Sequence, residues 1–135
     1  MKLSSIHVKN FRTLEDVIVR FSGFYTAISG QNNAGKTSLL RAIRHTFRDN
    51  SREIYFYRRR DEVTYRDDRT QWAKKDEDIT FNYVVAVSPT EDPGLFQFIE
   101  KFNEEKLPEQ DAKLRVQVSH QANEDTLCTL SLIHI

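Results

Sequence analysis

Hydrophobic positions in this chain alternate in some stretches and recur every three to four residues in others, and the two periods divide it into elements. Ile6, Val8 and Phe11 stand in near-alternation with His7 and Lys9, while Val17, Val19 and Phe21 alternate with Asp16, Ile18 and Arg20. That pattern predicts a hairpin linked by Arg12-Thr13-Leu14-Glu15. Phe24 to Ser29 is β-rich and mostly apolar, as a strand buried on both faces would be, and it leads into a glycine loop from Gly30 to Gly35. Leu39, Leu40, Ile43 and Phe47 then form one stripe, with Arg41, Arg44 and Arg48 opposite, which predicts a helix over Lys36 to Arg48.

Periodicity fades from Ser51 to Glu77, an irregular excursion rich in Arg, Asp and Tyr. It returns from Asp78 to Ser88, where Ile79, Phe81, Tyr83, Val85 and Val87 occupy every second position of a strand. Asp92-Pro93 has the form of an N-cap and first helical residue, opening a helix through Leu95, Phe98, Ile99 and Phe102 that stops before Pro108. Leu114 to His120 and Thr126 to Leu132 predict a last hairpin around Gln121 to Asp125.

Gly30-Gln31-Asn32-Asn33-Ala34-Gly35-Lys36-Thr37 satisfies the pattern G-x-x-x-x-G-K-[ST] between a predicted strand and a predicted helix. A polyphosphate needs many donors at short range. The loop turns its backbone N–H groups inward, and glycine at Gly30 and Gly35 allows angles and close approach that a Cβ would block. Lys36 supplies a mobile charge to the β and γ oxygens, Thr37 offers a hydroxyl to Mg²⁺, and the positive end of the helix points at the anion. The pattern therefore predicts binding of a nucleotide polyphosphate with Mg²⁺.

Ile6-His7-Val8-Lys9-Asn10-Phe11-Arg12, followed by Ile28-Ser29-Gly30 through Lys36-Thr37-Ser38-Leu39-Leu40-Arg41-Ala42-Ile43, resembles the N-terminal lobe of the SMC/RecF-like ABC ATPases. The likeness is greatest to the OLD (overcoming lysogenization defect) endonucleases and covers residues 3 to 48. It implies an α/β fold: the P-loop NTPase N-terminal lobe of ABC/SMC type, a mixed sheet with an antiparallel β subdomain. It further implies that the backbone of Gln31, Asn32, Asn33, Ala34 and Gly35, with Lys36, Thr37 and Ser38, binds ATP and Mg²⁺, and that Arg12 approaches the nucleotide. Two outputs compete for the whole protein: an OLD-like DNA endonuclease, possible in phage defence, and a RecF/SMC-like ATP-dependent DNA clamp or repair mediator without cleavage. Either implies DNA as a partner and an ATP-dependent head-to-head homodimer.

The resemblance also requires groups the chain does not show. No apolar strand ends in Asp-Glu as a Walker B motif would, and no signature motif or TOPRIM carboxylate cluster is present. Glu124-Asp125 and Asp61-Glu62 read as solvated turns. Gln97, Gln117 and Gln121 are equal candidates for a Q-loop glutamine. Leu130-Ser131-Leu132-Ile133-His134-Ile135 is what CTG-TCT-CTT-ATA-CAC-ATC encodes, a string resembling the mosaic end of a transposase-based sequencing adapter. The expected organisation is thus a truncated ATP-binding lobe over 1–129 with a foreign tail over 130–135.

Composition narrows the class. The chain has 135 residues, one domain's worth, and no apolar run approaches ~18 residues, so a soluble, cytoplasmic protein with no membrane partner is expected. With one Cys and four scattered His, any metal is bound through oxygen. Net charge is zero, yet residues 1–60 carry 12 basic and 4 acidic side chains and residues 61–135 carry 8 and 16. Either the first half faces something anionic or the halves neutralise each other. Arg52 to Arg60, with Tyr65, Arg66, Arg69, Trp72, Lys74 and Lys75, interleaves cations and aromatics as a nucleic-acid surface would. The plainer reading has those aromatics pack on the sheet and the Arg residues offset by Asp61, Glu62, Asp67 and Asp68.

Overall fold

The computed structural model describes residues 1–23, 26–30, 35–47, 63–72 and 77–133. Five strands form one sheet in the order β2-β1-β3-β4-β5, with β1 at Lys2–Phe11, β2 at Leu14–Arg20, β3 at Ile79–Val87, β4 at Ala112–His120 and β5 at Thr126–Ile133. Every neighbouring pair is antiparallel. The antiparallel β subdomain is thus present, and no parallel pair that would make the sheet mixed occurs among the described strands.

β3 is central because its alternation is the most regular. Ile79, Phe81, Tyr83, Val85 and Val87 are all buried on one face, opposite Val8, Ile6 and Leu3 of β1 and Val118, Val116 and Leu114 of β4. The helices α1 (Lys36–Phe47) and α3 (Pro93–Asn103) cover that face, with the one-turn helix α2 (Tyr65–Asp68) at its edge. Leu39 and Ala42 of α1 are buried against the sheet, and the Tyr83 hydroxyl donates to the carbonyl of Ala42 at 2.8 Å. A buried phenol needs such a partner, and this one ties helix to sheet. No helix among the described residues is long and apolar enough to cross a membrane.

The predicted hairpins, α1, β3 and α3 all form, with three corrections. Residues 26–29, the described part of the predicted third strand, join no sheet. A strand buried on both faces needs layers above and below it, whereas Thr26, Ala27 and Ser29 are exposed and only Ile28 packs on the core. On α1, Leu40 is exposed, whereas the neighbouring Leu39 is buried; the Phe47 side chain, Arg48 and residues 51–62 lie outside the described residues. On α3 the buried residues are Phe96 and Ile99, while Leu95, Phe98 and Phe102 of the predicted stripe face outward, with the Phe98 and Phe102 rings stacked at 6.2 Å. That helix has two adjacent apolar rows, and only contact with the sheet decides between them.

Asp92 does sit at the N-cap with Pro93 at the first helical position, but its side chain makes no cap bond. The carboxylate instead receives the N-terminal amine of Met1 and the N–H of Ser88, and the amine bond holds its pKa below the usual carboxylate value. At the other end of α3, Glu104 adopts the left-handed conformation at φ 54°, and its N–H returns to Glu100 and Lys101.

Candidate nucleotide-binding site

Gly35, at the end of the glycine loop, rests on the turn of the first hairpin. Gly35 has φ +89°, where side chains are strained. A Cβ there would lie 2.8 Å from Leu14 Cδ2 and 3.2 Å from Thr13 Oγ1, so glycine is required on two independent grounds. The Lys36 ammonium reaches back to the carbonyl of Gly30 at 2.8 Å, spanning the loop as a phosphate-binding lysine would. Gln31 to Ala34, which would supply the remaining backbone donors, lie outside the described residues.

Helix α1 starts at Lys36 with no acidic residue in its first turn, so its positive end is not offset by a side chain of the helix. Thr37 is exposed. Ser38 is buried, its Oγ 3.3 Å from Thr13 Oγ1. A lysine, an exposed threonine and a helix N-terminus at one loop fit a nucleotide polyphosphate with its Mg²⁺, to which the Thr37 hydroxyl would offer an oxygen. Among the described residues there is no cluster of His, Cys, Asp and Glu that could hold a metal by itself.

Arg12 stands beside this turn, and its guanidinium is engaged by a residue from the excursion. Nε and Nη2 reach Asp68 Oδ1 at 2.8 and 2.7 Å, and the Arg12 N–H donates to the Asp68 carbonyl at 2.6 Å. The reading of Asp67 and Asp68 as counterions to nearby arginines is thus revised for Asp68: it is buried, and its cation comes from the first hairpin. Tyr65 packs into the core as the plainer reading expects, while Trp72 is exposed.

Glu124 is likewise not merely a solvated turn residue. At φ 67° on the tip of the last hairpin, it accepts the N–H groups of Tyr65 and Arg66 at 3.0 and 3.1 Å, capping α2 from 59 residues away. Asp125 stays exposed. Below them His120 is buried against His45 and Phe81. Desolvation, and then the nearby His45, pull its pKa down from 6.5 to about 4, so the ring is neutral at pH 7.

Sequence reasoning missed Thr13, Leu14, Asp68 and Glu124. None has a local signature, because each acts on a partner far along the chain. The Q-loop candidates are scattered: Gln97 is exposed on α3, Gln117 is in β4 and Gln121 in the last turn. None of these positions singles one out.

The sheet face away from the helices is uncovered by any described element. The strand registers put Lys2, Lys9, Arg20, Lys113 and Arg115 on it, with His7 bound to Asp16. The acids of the second half gather elsewhere, on α3 and its flanks, at Glu91, Glu100, Glu104, Glu105, Glu109 and Asp111. Among the described residues the two halves meet as ion pairs at Arg12–Asp68 and at the Met1 amine and Asp92, while the cations of the sheet face and the acids around α3 lie on different surfaces.

A family model described as an AAA ATPase domain matches residues 1–132. The DNA double-strand break repair Rad50 ATPase of Pyrococcus abyssi is 49% identical over 43 residues, which are 32% of this chain and 5% of that protein. The OLD nuclease of Thermus scotoductus is 56% identical over 41 residues, 30% of this chain and 8% of its own. The chain thus spans a small fraction of these curated relatives. Among solved structures, one from work on ATP-driven dimerization and DNA-stimulated activation of SMC ATPases superposes with a TM-score of 0.59 at 16% identity, covering 99% of this chain and 73% of its own. At that identity the likeness concerns the fold.

Proposed function

Because the chain belongs to the AAA ATPase domain family, we propose that it binds ATP·Mg²⁺ as the N-terminal half of an OLD-like ATPase acting on DNA. The observation that carries the reading is the seating of Gly35 and Lys36: a left-handed glycine with no room for a Cβ, followed by a lysine spanning the loop at the N-terminus of α1. In this reading Gly30, Gln31, Asn32, Asn33, Ala34 and Gly35 present backbone to the phosphates. Lys36 neutralises the β and γ oxygens, Thr37 holds Mg²⁺, Ser38 braces the loop on Thr13, and Arg12 lies at the nucleotide's edge. Thr37 would hold Mg²⁺, which would supply positive charge to offset that of the triphosphate. The protein's part is to fix the triphosphate and keep the lysine aimed.

The uncovered basic sheet face supports DNA as the partner, because a flat surface with five cations suits a phosphate backbone. The short, high-identity match to the OLD nuclease favours the nuclease output. The comparable match to the Rad50 ATPase supports the second reading, an ATP-dependent DNA clamp or repair mediator without cleavage. In both, two copies engage head to head around ATP.

Titration of the chain with a fluorescent ATP analogue and Mg²⁺ tests the site. Lys36→Ala is expected to weaken binding by about tenfold or more, as loss of a charge-assisted contact does. Equal affinity in the two proteins would remove the assignment. Sustained ATP hydrolysis and DNA cleavage by this chain alone are not expected, because phosphoryl transfer also needs a positioned carboxylate and a partner's groups at the γ-phosphate.

A further inference from the structure

Arg12 is held along one edge. Both of its contacts to Asp68 fall on Oδ1, and the second carboxylate oxygen accepts the N–H of Thr64 at 3.0 Å. The Asp68 side chain is 5% exposed and that of Arg12 is 37% exposed, so the anion is fixed inside the protein while part of the cation faces outward. A guanidinium carries five N–H groups in one plane. Two of Arg12's point at Asp68, and three are left for another acceptor.

The same contact shapes the backbone beneath the glycine loop. Asn10 and Arg12 both adopt left-handed angles, φ 60° and 52°, on either side of the buried Phe11. Conformations of that kind persist where surrounding contacts over-determine them. Here those contacts come from residues 68–70: the Asp68 carbonyl takes the Arg12 N–H, the Thr70 N–H donates to the Asn10 carbonyl at 2.9 Å, and Arg69 bridges to Phe11. The next two residues of the turn, Thr13 and Leu14, are the ones packed under Ser38 and Gly35.

We propose that Asp68 is a positioning residue for the nucleotide site, acting through Arg12: it fixes the turn that supports Gly35 and Ser38 and orients the guanidinium with three N–H groups left for a phosphate chain. The inference deepens the ATP-binding reading and rests on it. Asp68 also opposes binding in one respect, since its charge weakens the field of Arg12 at an anion. Orientation outweighs that loss, because a guanidinium freed from its buried partner must give up its side-chain entropy again on meeting phosphate.

The test is a double-mutant cycle on the affinity for a fluorescent ATP analogue with Mg²⁺, with thermal melts run alongside. Asp68→Ala and Arg12→Ala should each weaken binding by about fivefold or more, and the double variant should bind as Arg12→Ala does, because the two residues act as one unit. Asp68→Asn, which keeps shape and one acceptor, should fall between parent and Asp68→Ala, and it serves if the alanine variant melts without cooperativity. Arg12→Lys should not rescue, since a point charge cannot serve Asp68 and phosphate along two edges. Ionic strength supplies a readout that a merely structural role would leave alone: the decline of affinity with added salt should be shallower in Arg12→Ala, which loses a cation, and steeper in Asp68→Ala, which leaves the Arg12 charge unopposed. Unchanged or tighter binding in the Asp68 variants, or losses that multiply in the double variant, would overturn this inference alone, provided Lys36→Ala still weakens binding as expected. No binding by the parent would overturn the ATP reading and this one together.

Discussion

At one end of the sheet β1 turns into β2 beneath the glycine loop, and at the other β5 lies beside α3. The first end is closed by contacts from afar: Asp68 holds Arg12, Thr13 meets Ser38, Leu14 fills the space a Cβ of Gly35 would need, and Glu124 caps α2. The second end is built mostly from residues 85–132, with Leu3 and the Met1 amine joining from the start of the chain, and it stays open. Phe98, Phe102 and Leu130 are each half or more exposed there. The outer strands differ in the same sense. β2 carries Glu15, Asp16 and Arg20, whereas none of the eight residues Thr126–Ile133 is charged. Charge on an edge strand discourages pairing with another chain, so β2 is guarded and β5 is not. The loop end is completed by this chain's own polar groups, and the β5 end relies on there being nothing nearby to pair with.

Four measurements would break or sharpen that contrast. The strongest concerns what the two ends share. Phe81 is fully buried at the centre of β3, its ring 5.1 Å from Phe11 and 5.9 Å from His120. Phe81→Ala should cost about 3–5 kcal/mol, and both ends should lose protection from hydrogen exchange together in one cooperative transition. Separate transitions would show that the ends are independent.

Acid comes next. The pKa of His120 is lowered to about 4 by burial, so protons bind more readily to the unfolded chain. Its contribution to stability is complete above the unfolded value near 6.5 and is lost as pH falls from there towards 4. A loss on the order of 2–3 kcal/mol across that window is expected, and His120→Gln should flatten that part of the curve in chemical denaturation. Because the ring lies near Glu124 and Asp68, exchange protection at the loop end should decline first.

Gly35→Ala combines a left-handed backbone with a crowded Cβ and should destabilise by about 1–3 kcal/mol. It should also weaken ATP binding, while amides of β5 keep their protection. Leu130→Lys should act only at the open end. Stability should change by about 0.5 kcal/mol or less, as for most surface substitutions, and light scattering should show less self-association at high concentration.

Much of the fold was legible from the period of the apolar residues. The alternation of Ile79 to Val87 and the spacing of Leu39 and Ile43 survive folding because one face of each element is all that must be buried. Reading failed where burial depends on a partner the period does not identify. The two apolar rows of α3 are locally equivalent until the sheet covers Phe96 and Ile99. Residues 26–29 have the composition of a buried strand without described neighbours to make them one. In the site, Gly30, Gly35, Lys36 and Thr37 were legible because a fixed spacing is itself the chemistry. Asp68 and Glu124 were not, since an acid in a polar stretch looks the same whether it meets water or a residue 56 or 58 positions away.

The place of β3 between β1 and β4 also governs when the molecule can assemble. β1 and β2 pair across a two-residue turn, yet the partner on the other side of β1 begins at Ile79. A chain emerging from a ribosome therefore exposes its glycine loop and α1 well before the strand on which α1 packs exists. The hairpin can form early, but the hydroxyl of Tyr83 that fastens α1 arrives some forty residues after Ala42, and Asp68 reaches Arg12 only once the excursion has been made. Slow closure of that long loop should set the folding rate. During synthesis, nucleotide affinity should appear late and abruptly, when the central strand clears the exit tunnel.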